Sequence, residues 1–547
     1  MLVAEVPDVV GAVETVGLGV VAQPAVTAVT PITRSSHKRT RIVLGGRIPQ
    51  SCRIVSQPNT TRDTMVANTA MIGIVVGFVL HAHDAWQRST AAAARLHQLG
   101  LRHGDRIGII ATPTIAPGRS TAAQHDAART QADVAVLAFA ALRAGIVPVM
   151  INPLLTPREF TAYLDDAQVA QVVTHAGQAQ ELAAPAPETG TSAHPELSDV
   201  PLGRPMHFTS GTTGRSKGVW AGVLDHDTAT RYWRDEHEQW PITDSDRVLN
   251  FGPLAHSAPL RFSMLAFLAG ADMIYLGPFS AELTSAAIAT HRPTVAMAVP
   301  THLQRFLTLP GNPPPSSFRM LVHAGSACPP DLKRAIHRWA GVSNVWEFLG
   351  STEGQFTACR GSEWEERPGT LGRARVGRAL LIDDGTLRAE GLIWCSAPPY
   401  ARFEYFRDPG KTDLAWRTTG VGDAFTVGDL GRLDADGYLY LHGRRTDLIV
   451  TGGVNVYPAD VEAAMRECPG VHDVAVFAGT DPRWGQRVCA AVVGAATVAD
   501  IDAWCHRELA GYRRPKQIVK VPELPLTANG KVVRDGLAAW VTEHAAS

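Results

Sequence analysis

From about Trp86 onward, apolar residues with helical spacing alternate along the chain with short apolar runs that are typical of buried strands. Residues 89–105 (STAAAARLHQLGLRHGD) predict an amphipathic helix that ends at Gly100, and residues 106–112 (RIGIIAT) predict a buried strand. Residues 134–145 (VAVLAFAALRAG) predict a further helix, and residues 146–152 (IVPVMIN) a further strand. Strands that alternate with helices indicate a parallel sheet with helices on both of its faces.

The alternation is interrupted at two places. Residues 116–131 (APGRSTAAQHDAARTQ) are small and polar, and we predict that they form an exposed loop or an insertion. Near residues 391–396 the pattern changes to short strands and turns, and residues 435–447 (ADGYLYLHGRRTD) predict a strand that ends in a charged turn. A new helix is predicted from Tyr457 onward. We therefore place a boundary near residue 445, between a large domain at 86–445 and a smaller one at 446–547.

Composition narrows the class of protein. Of the 547 residues, 45% are hydrophobic and 19% are charged, as in ordinary globular proteins. The 51 basic and 52 acidic side chains leave a formal net charge of −1, so no overall field attracts nucleic acid or an anionic membrane. The seven cysteines are scattered and form no CxxC pair, which argues against a disulfide framework or a zinc site and favours a reducing cytoplasm.

The N-terminal part is less regular. Residues 1–85 form a divergent segment to which the pattern assigns no role. Within it, residues 66–82 (VANTAMIGIVVGFVLHA) are apolar but shorter than the about 20 residues that a membrane-spanning helix needs. We predict a buried strand or helix there and no stable membrane span, with a membrane-anchored protein as the alternative.

The strongest local signal is a loop rich in glycine, serine and threonine at residues 208–219 (FTSGTTGRSKGV). Its glycines let the backbone turn tightly, its hydroxyl and N–H groups are donors, and its lysine adds a positive charge, so we predict that it binds a polyphosphate. The glycines are too close together for the P-loop pattern. The predicted phosphate ligands are Thr209, Ser210, Gly211, Thr212, Thr213, Gly214 and Lys217.

The segment TSGTTGRSKG resembles the signature of the adenylate-forming superfamily, which contains acyl-CoA synthetases, peptide-synthetase adenylation domains and firefly luciferase. Further segments that resemble motifs of this superfamily follow in the same order: NFGPLAHSAP (250–259), HAGSACPPDL (323–332), FLGSTEG (348–354), and the stretches 391–412, 425–458 and 509–537. The ordered match runs from about Trp86 to Leu537, and the chain is most similar to a bacterial-type fatty-acyl-CoA synthetase.

The resemblance implies an α/β fold with a large N-terminal domain of parallel-sheet αβα subdomains and a small β-rich part, followed by a small, mobile α+β C-terminal domain. It implies a ligase that uses ATP and Mg²⁺ to convert a carboxylic acid to acyl-AMP with release of pyrophosphate, and then passes the acyl group to CoA. A fatty acid is the expected substrate. The largely apolar residues of the expected pocket wall would suit a fatty or an aromatic tail: Pro253, Leu254, Ala258, Leu260, Phe262 and Met264.

The resemblance also implies roles for single residues. Attack of a carboxylate on the α-phosphorus of ATP brings two negative groups together, so cations and oriented donors are needed. Lys531 is expected to stabilise charge on the α-phosphate, Glu353 to bind Mg²⁺, Thr352 to contact the α-phosphate, and His256 to separate the acyl and thiol sites. The remaining expected nucleotide contacts are Gly325, Ser326, Ala327, Leu349, Gly350 and Ser351 near adenine, Asp429 and Arg444 near ribose, and Gly452 and Gly453 in the loop that faces the site during thioester formation.

Several positions depart from the superfamily pattern. Leu349 stands where an aromatic residue usually stacks on adenine, Val427 replaces a threonine, and Thr446 occupies the hinge position where aspartate or lysine is usual. Two alternatives therefore remain open. One is an acyl-AMP ligase that loads a carrier protein, although residues 353–377 are too short for the insertion typical of such ligases; the other is a degenerate nucleotide-binding homologue without catalytic activity.

Overall fold

The computed structural model describes residues 76–545, except for 111–120, 154, 156, 186–196, 210–216, 312, 384–389, 445–446, 452–453, 457, 482–483, 510, 527–531 and 535. Its strands form four sheets, and helices pack against them. The mixed α/β architecture that the sequence predicted is therefore present. The predicted N-terminal segment 1–85 lies largely outside the described residues, and the domains predicted at 86–445 and 446–547 stay a prediction.

The first sheet has eight strands, and its middle is parallel. In spatial order it contains β1 (Phe78–Leu80), β8 (Asp272–Tyr275), β7 (Arg247–Asn250), β9 (Val295–Ala298), β10 (Met320–His323), β11 (Val345–Glu347), β12 (Thr357–Arg360) and β13 (Arg373–Ala374). From β8 to β11 each strand runs parallel to its neighbour. Their near-continuous apolar runs fit this arrangement, because parallel strands are covered on both faces.

The second sheet has six strands. In spatial order these are β16 (Glu404–Tyr405), β6 (Lys217–Trp220), β5 (Met206–Thr209), β3 (Val147–Ile151), β2 (Arg106–Ile110) and β4 (Gln171–Val173). The predicted strands at 106–112 and 146–152 correspond to β2 and β3. The hairpin of β5 and β6 carries the predicted phosphate loop between its strands.

Two antiparallel-rich sheets complete the chain. The third contains β17 (Trp416–Thr419), β18 (Gly422–Phe425), β15 (Gly391–Ser396), β19 (Asp429–Leu433) and β20 (Leu439–Arg444), with β14 (Leu380–Asp383) paired to β15. The fourth contains β22 (Val454–Val456), β21 (Ile449–Thr451), β24 (Gly485–Gly494) and β23 (Val471–Asp481), with β25 (Gln517–Lys520) paired to β24. The first of these is the small β-rich part that the sequence predicted.

The helices connect and cover these sheets. They are α1 (Ala82–Gln98), α2 (Thr121–Arg143), α3 (Pro157–Ala167), α4 (Ala176–Leu182), α5 (His226–Gln239), α6 (Ser257–Ala269), α7 (Ala281–His291), α8 (Pro300–Leu307), α9 (Pro330–Ala340), α10 (Gly361–Glu366), α11 (Pro409–Ala415), α12 (Pro458–Arg466), α13 (Val498–Glu508) and α14 (Leu537–His544). Helix α2 contacts strands of both the first and the second sheet, so it lies between them.

The exposed loop predicted at residues 116–131 is wrong from Thr121 onward, because α2 begins there. Small residues such as Ala127 and Ala128 are buried. The buried amide of Gln131 donates to the Gly252 carbonyl at 2.8 Å and accepts from the Gly277 N–H at 3.0 Å. These small and polar residues are needed where the helix approaches two loops closely, and a local pattern does not distinguish that role from solvent exposure.

None of the helices in the described part of the chain combines the length and the apolar composition of a membrane span. Of the apolar stretch 66–82, residues 66–75 lie outside the described residues, while β1 and the start of α1 occupy its end. The described end of this stretch therefore contains a short strand at the edge of the first sheet, in which only Leu80 is buried.

Candidate active site

The candidate site lies at one edge of the first sheet. Strands β7, β9, β10 and β11 are parallel neighbours, so their carboxyl ends meet at the same edge, where open α/β sheets bind ligands. Gly325, Ser326 and Ala327 follow β10, and Leu349 follows β11. Gly325 has a φ of 97°, which a glycine adopts without strain. Two segments that the sequence predicted near adenine are therefore adjacent.

A tight turn carries the next predicted residues. The Ser351 N–H donates to the Gly354 carbonyl at 2.9 Å, and Gly350 pairs with Gln355 in an isolated bridge. This turn leaves the Ser351 hydroxyl buried without a hydrogen-bond partner among the described residues. Because an unsatisfied buried hydroxyl is unfavourable, a ligand atom at this place would stabilise the turn.

The side chain of Glu353 is held at the base of the same turn. It is only 5% exposed, and its Oε1 accepts a hydrogen bond of 2.9 Å from the Tyr405 hydroxyl. The Glu353 backbone carbonyl accepts from Arg204 Nη1 at 3.1 Å. Lys411 Nζ lies 4.0 Å from the centre of the Tyr405 ring; burial lowers the pKa of Lys411 and the nearby Glu353 opposes that effect. An ordered carboxylate of this kind is a suitable oxygen ligand for Mg²⁺.

The predicted phosphate lysine is positioned by a β-hairpin. Lys217 opens β6 directly opposite Thr209, at the end of β5. Its Nζ lies 3.0 Å from Asp408 Oδ2, and the other carboxylate oxygen of Asp408 caps α11 by accepting from the Lys411 N–H at 3.1 Å. The backbone N–H of Lys411 and the Lys217 ammonium lower the pKa of Asp408. This carboxylate therefore keeps Lys217 beside the loop.

The predicted ribose contacts lie on two neighbouring strands. Asp429 is the first residue of β19, is 6% exposed, and is the register partner of Arg444 at the end of β20. Gly428, immediately before it, has a φ of 87°. The backbone therefore places these two positions opposite each other on neighbouring strands, and their contact with ribose stays a prediction.

Two histidines flank the start of α6. His256 occupies the N-cap position, although its side chain does not cap the helix. His207 on β5 is 3% exposed. Burial lowers the pKa of His207 to about 3, and His256 is close enough to lower it further, so His207 is neutral at physiological pH.

A small cavity opens between these histidines and the turn. It has a volume of about 40 Å³ and is lined by Arg204, Pro205, His207, Val219, Tyr232, Trp233, Ser257, Arg261, Thr352 and Gly354. We call it the arginine cavity. Its walls come from β5, β6, α5, α6 and the turn that carries Glu353, so it connects directly with the predicted catalytic residues.

Buried ion pairs lie behind Arg261, which lines the arginine cavity. Glu236 is 2% exposed and pairs with Arg375 at 2.7 Å and with Arg261 at 3.3 Å. Burial alone would raise the pKa of Glu236, but the arginines lower it to about 2. Glu236 is therefore ionised throughout the physiological range, and its charge is already compensated by two arginines.

Part of the predicted site lies outside the described residues. This applies to Ser210, Gly211, Thr212, Thr213, Gly214, Gly452, Gly453 and Lys531, and to the side chains of Thr209 and Arg444. Their roles stay predictions.

Sequence reasoning missed three residues of this region. Arg204 and His207 lie just before the phosphate loop, and Tyr405 lies within one of the motif-like segments, so their positions were a usable signal.

Most of the apolar residues that suggested a fatty acid lie in the hydrophobic core and not at the arginine cavity. Leu254, Leu260, Phe262 and Met264 are at most 3% exposed and belong to a hydrophobic core cluster, and none of them lines the arginine cavity.

Comparison with known protein families gives two matches in the chain. The description "AMP-binding enzyme" applies to residues 205–402, and "AMP-binding enzyme C-terminal domain" to residues 460–531. Both matches fall within the stretch whose motifs resemble adenylate-forming enzymes.

Individual relatives extend the match. Indoleacetate–CoA ligase from Aromatoleum aromaticum is 32% identical over 354 residues, which are 61% of this chain and 66% of the relative. A 2-succinylbenzoate–CoA ligase from Bacillus anthracis is 30% identical over 421 residues, covering 73% of this chain and 84% of the relative. Among solved structures, ATP-bound MatB from Rhodopseudomonas palustris superposes with a TM-score of 0.67 at 27% identity, over 84% of this chain and 92% of its own. This similarity confirms the predicted α/β fold with a larger and a smaller domain.

Proposed function

The chain belongs to the AMP-binding enzyme family and is an acid–thiol ligase, and we propose that it uses ATP to join a carboxylic acid to coenzyme A through an acyl-adenylate. The observation that carries this proposal is the turn after β11. There Glu353 is buried and oriented by Tyr405, while Thr352 lines a cation-rich cavity. A carboxylate for a metal ion and donors for two reacting anions are thus combined in one place.

In the first half-reaction, an oxygen of the acid attacks the α-phosphorus of ATP, and the bond to the β-phosphate breaks to release pyrophosphate. Lys217 and the 208–219 loop hold the leaving phosphates, so the Lys217 ammonium turns from Asp408 towards them. Thr352 orients the α-phosphate, and Asp429 accepts hydrogen bonds from the ribose hydroxyls. Lys531 stabilises the charge that develops on the α-phosphate.

The residues present fit a Mg²⁺ ion. Glu353 is buried, and its Oε1 accepts a hydrogen bond from the Tyr405 hydroxyl, which orients the carboxylate. The carboxylate of Glu353 would therefore hold Mg²⁺, and the ion would neutralise charge on the phosphate oxygens. Tyr405 keeps the carboxylate in place before the substrates arrive.

For the second half-reaction, we propose that the C-terminal domain rotates and presents the loop with Gly452 and Gly453. Coenzyme A then attacks the acyl-adenylate and releases AMP, while His256 separates the acyl and thiol sites. The support for this step is the superfamily motif order and the names of the relatives, which are CoA ligases. Thr446 occupies the hinge position where aspartate or lysine is usual, so the rate of domain rotation is the quantity that this departure would change.

The identity of the acid is a finer question. A fatty acid stays a prediction from the sequence, and its relatives are named for indoleacetate and 2-succinylbenzoate. Much of the apolar surface that suggested a fatty tail is packed in the core. Fatty acids, aryl acids and short acids therefore belong in the same first assay.

That assay measures pyrophosphate release from ATP with each acid, with and without coenzyme A. We expect release that depends on the acid and rises with coenzyme A, together with formation of the acyl-CoA. Release without acyl-CoA would favour the alternative of loading a carrier protein. A folded protein that binds ATP but releases no pyrophosphate with any acid would contradict the proposal. It would favour the alternative of a nucleotide-binding homologue without catalytic activity.

Replacing Tyr405 by phenylalanine is expected to raise the Mg²⁺ concentration needed for half-maximal pyrophosphate release by roughly tenfold, because the hydrogen bond that orients Glu353 is lost. The measurement is a Mg²⁺ titration at saturating ATP and acid. Tyr438→Phe is the matched control, since the Tyr438 hydroxyl donates to Glu363 at 3.2 Å away from the site. An unchanged Mg²⁺ requirement in Tyr405→Phe would show that Tyr405 does not position Glu353.

A further inference from the structure

We infer that the arginine cavity binds a second anionic group of the acid substrate, so that the preferred substrate is a short acid with a carboxylate or similar anion at its far end. This inference rests on the proposed ligase function, because it concerns the acid that the same site activates. The second anion takes no part in the chemistry: the first carboxylate forms the bond to phosphorus, and pyrophosphate leaves.

The charge balance of the cavity and its surroundings favours an anion. Arg204 and Arg261 line the cavity, and no aspartate or glutamate is among its described lining residues. Behind them, Arg375 and Arg378 pair with the buried carboxylates of Asp235 and Glu236, and Arg261 shares Glu236 with Arg375. With the buried carboxylate of Glu353 included, four arginines and three carboxylates leave an excess of one positive charge around a partly buried space. A protein stabilises such an excess by binding an anion there.

Arg204 has a hydrogen-bond donor that no described residue accepts. Its Nη1 donates to the Glu353 carbonyl at 3.1 Å, and its guanidinium lies 5.8 Å from the centre of the Tyr232 ring. Its Nη2 is buried and has no hydrogen-bond partner among the described residues. A buried guanidinium donor without an acceptor is unfavourable, and a carboxylate oxygen is the acceptor that guanidinium binds best.

The start of α6 contributes Ser257 to the lining. This helix has 13 residues, and its N-cap side chain makes no capping hydrogen bond. The positive end of the helix dipole adds to the charge of Arg204 and Arg261. His207 adds no positive charge to this set, because burial lowers its pKa and keeps it neutral.

The volume of the arginine cavity, about 40 Å³, has room for about three water molecules, so one carboxylate group fits in it. Thr352 lines the same cavity and is the residue expected to contact the α-phosphate. An acid whose reacting carboxylate lies beside Thr352 can therefore place a second anion between Arg204 and Arg261 only if the acid is short.

The test compares dicarboxylates from malonate to suberate with the matched monocarboxylates from propionate to octanoate. The readout is kcat/KM for pyrophosphate release by the full chain. We expect at least one dicarboxylate to exceed its monocarboxylate partner by about tenfold or more in the wild type. In Arg204→Met, the ratio of the dicarboxylate value to the monocarboxylate value should fall roughly 10- to 100-fold.

Two further variants sharpen the result. Arg204→Lys keeps the charge but not the planar donor pair, so it should retain part of the dicarboxylate preference. Arg334→Met is the matched control, because Arg334 forms an exposed ion pair with Asp331 at 3.2 Å in α9. It should leave both classes of acid unchanged.

The inference is overturned if the wild type prefers every monocarboxylate to its dicarboxylate partner. It is also overturned if Arg204→Met lowers both classes equally and raises the KM for ATP, since the cavity would then serve a phosphate or the reacting carboxylate. Activity with monocarboxylates alone would leave the ligase function standing. Absence of release with every acid in the wild type would reject the ligase function itself, and the inference with it.

Discussion

Replacing Lys531 by alanine is expected to lower acid-dependent pyrophosphate release by roughly 10²- to 10³-fold, the usual effect of removing one donor from a site of developing negative charge. The attacking carboxylate and the α-phosphate are both anions, and the lysine is expected to offset their repulsion in the transition state. Binding of ATP should change little, because the phosphate loop and Asp429 are untouched. The measurement is kcat/KM for pyrophosphate release, together with ATP affinity.

The second half-reaction provides an internal control for this prediction. When acyl-adenylate is supplied directly, the Lys531→Ala variant should form acyl-CoA at nearly the wild-type rate, because Lys531 serves only adenylation in the proposed cycle. Lys516→Ala is the matched control, since its ammonium donates to the Gly511 carbonyl at 2.9 Å on the protein surface. Equal losses in both half-reactions would instead indicate a folding defect or a different role for Lys531.

Replacing Arg375 by methionine is expected to lower the free energy of unfolding by about 3–5 kcal/mol, because it leaves buried carboxylates incompletely compensated. The Arg375 guanidinium donates to Glu236 Oε1 at 2.7 Å and to the Asp235 carbonyl at 2.9 Å, joining α5 to the segment after β13. Both side chains of the Arg375–Glu236 pair are only 2% exposed. Urea unfolding of wild type and variant measures the difference.

Two comparison variants test whether the lost charge compensation causes the loss of stability in Arg375→Met. Arg402→Met removes an exposed ion pair with Asp423 at 3.2 Å and should cost at most about 1 kcal/mol. The double variant Arg375→Met with Glu236→Gln should be more stable than Arg375→Met alone, since the fully buried carboxylate of Glu236 no longer carries a charge. A loss below about 1 kcal/mol in Arg375→Met would contradict the assignment of this pair as a buried structural contact.

The Arg375–Glu236 pair predicts that the free energy of unfolding depends on pH. The pKa of Glu236 falls from its ordinary value of 4.5 to about 2 in the folded protein. A depressed pKa contributes stability above pH 4.5, and this contribution is lost as the pH falls towards 2. The difference in unfolding free energy between wild type and Arg375→Met should therefore shrink between these pH values.

Much of the fold and of the site followed from local patterns. The period of apolar residues placed α1, β2, the later part of α2 and β3, because backbone conformation and one-sided burial leave a local trace. The order of the glycine-rich loop, Glu353 and Asp429 indicated the family, and the structure brings Glu353 and the Lys217 hairpin to the strand β16 and the segment after it. The start of α2 was missed, since residues such as Gln131 are polar and nevertheless buried.

The sequence by itself therefore determined the α/β class, the family and most candidate residues for the nucleotide. Only the tertiary structure decided the chemistry of the arginine cavity. Arg204, Tyr232, Arg261 and Thr352 are distant in the chain, and the pairing that compensates Glu236 reaches across 139 residues to Arg375. Long-range contacts of this kind decide whether an arginine pairs with a buried carboxylate or remains available to a ligand. A local pattern of residues does not predict such contacts.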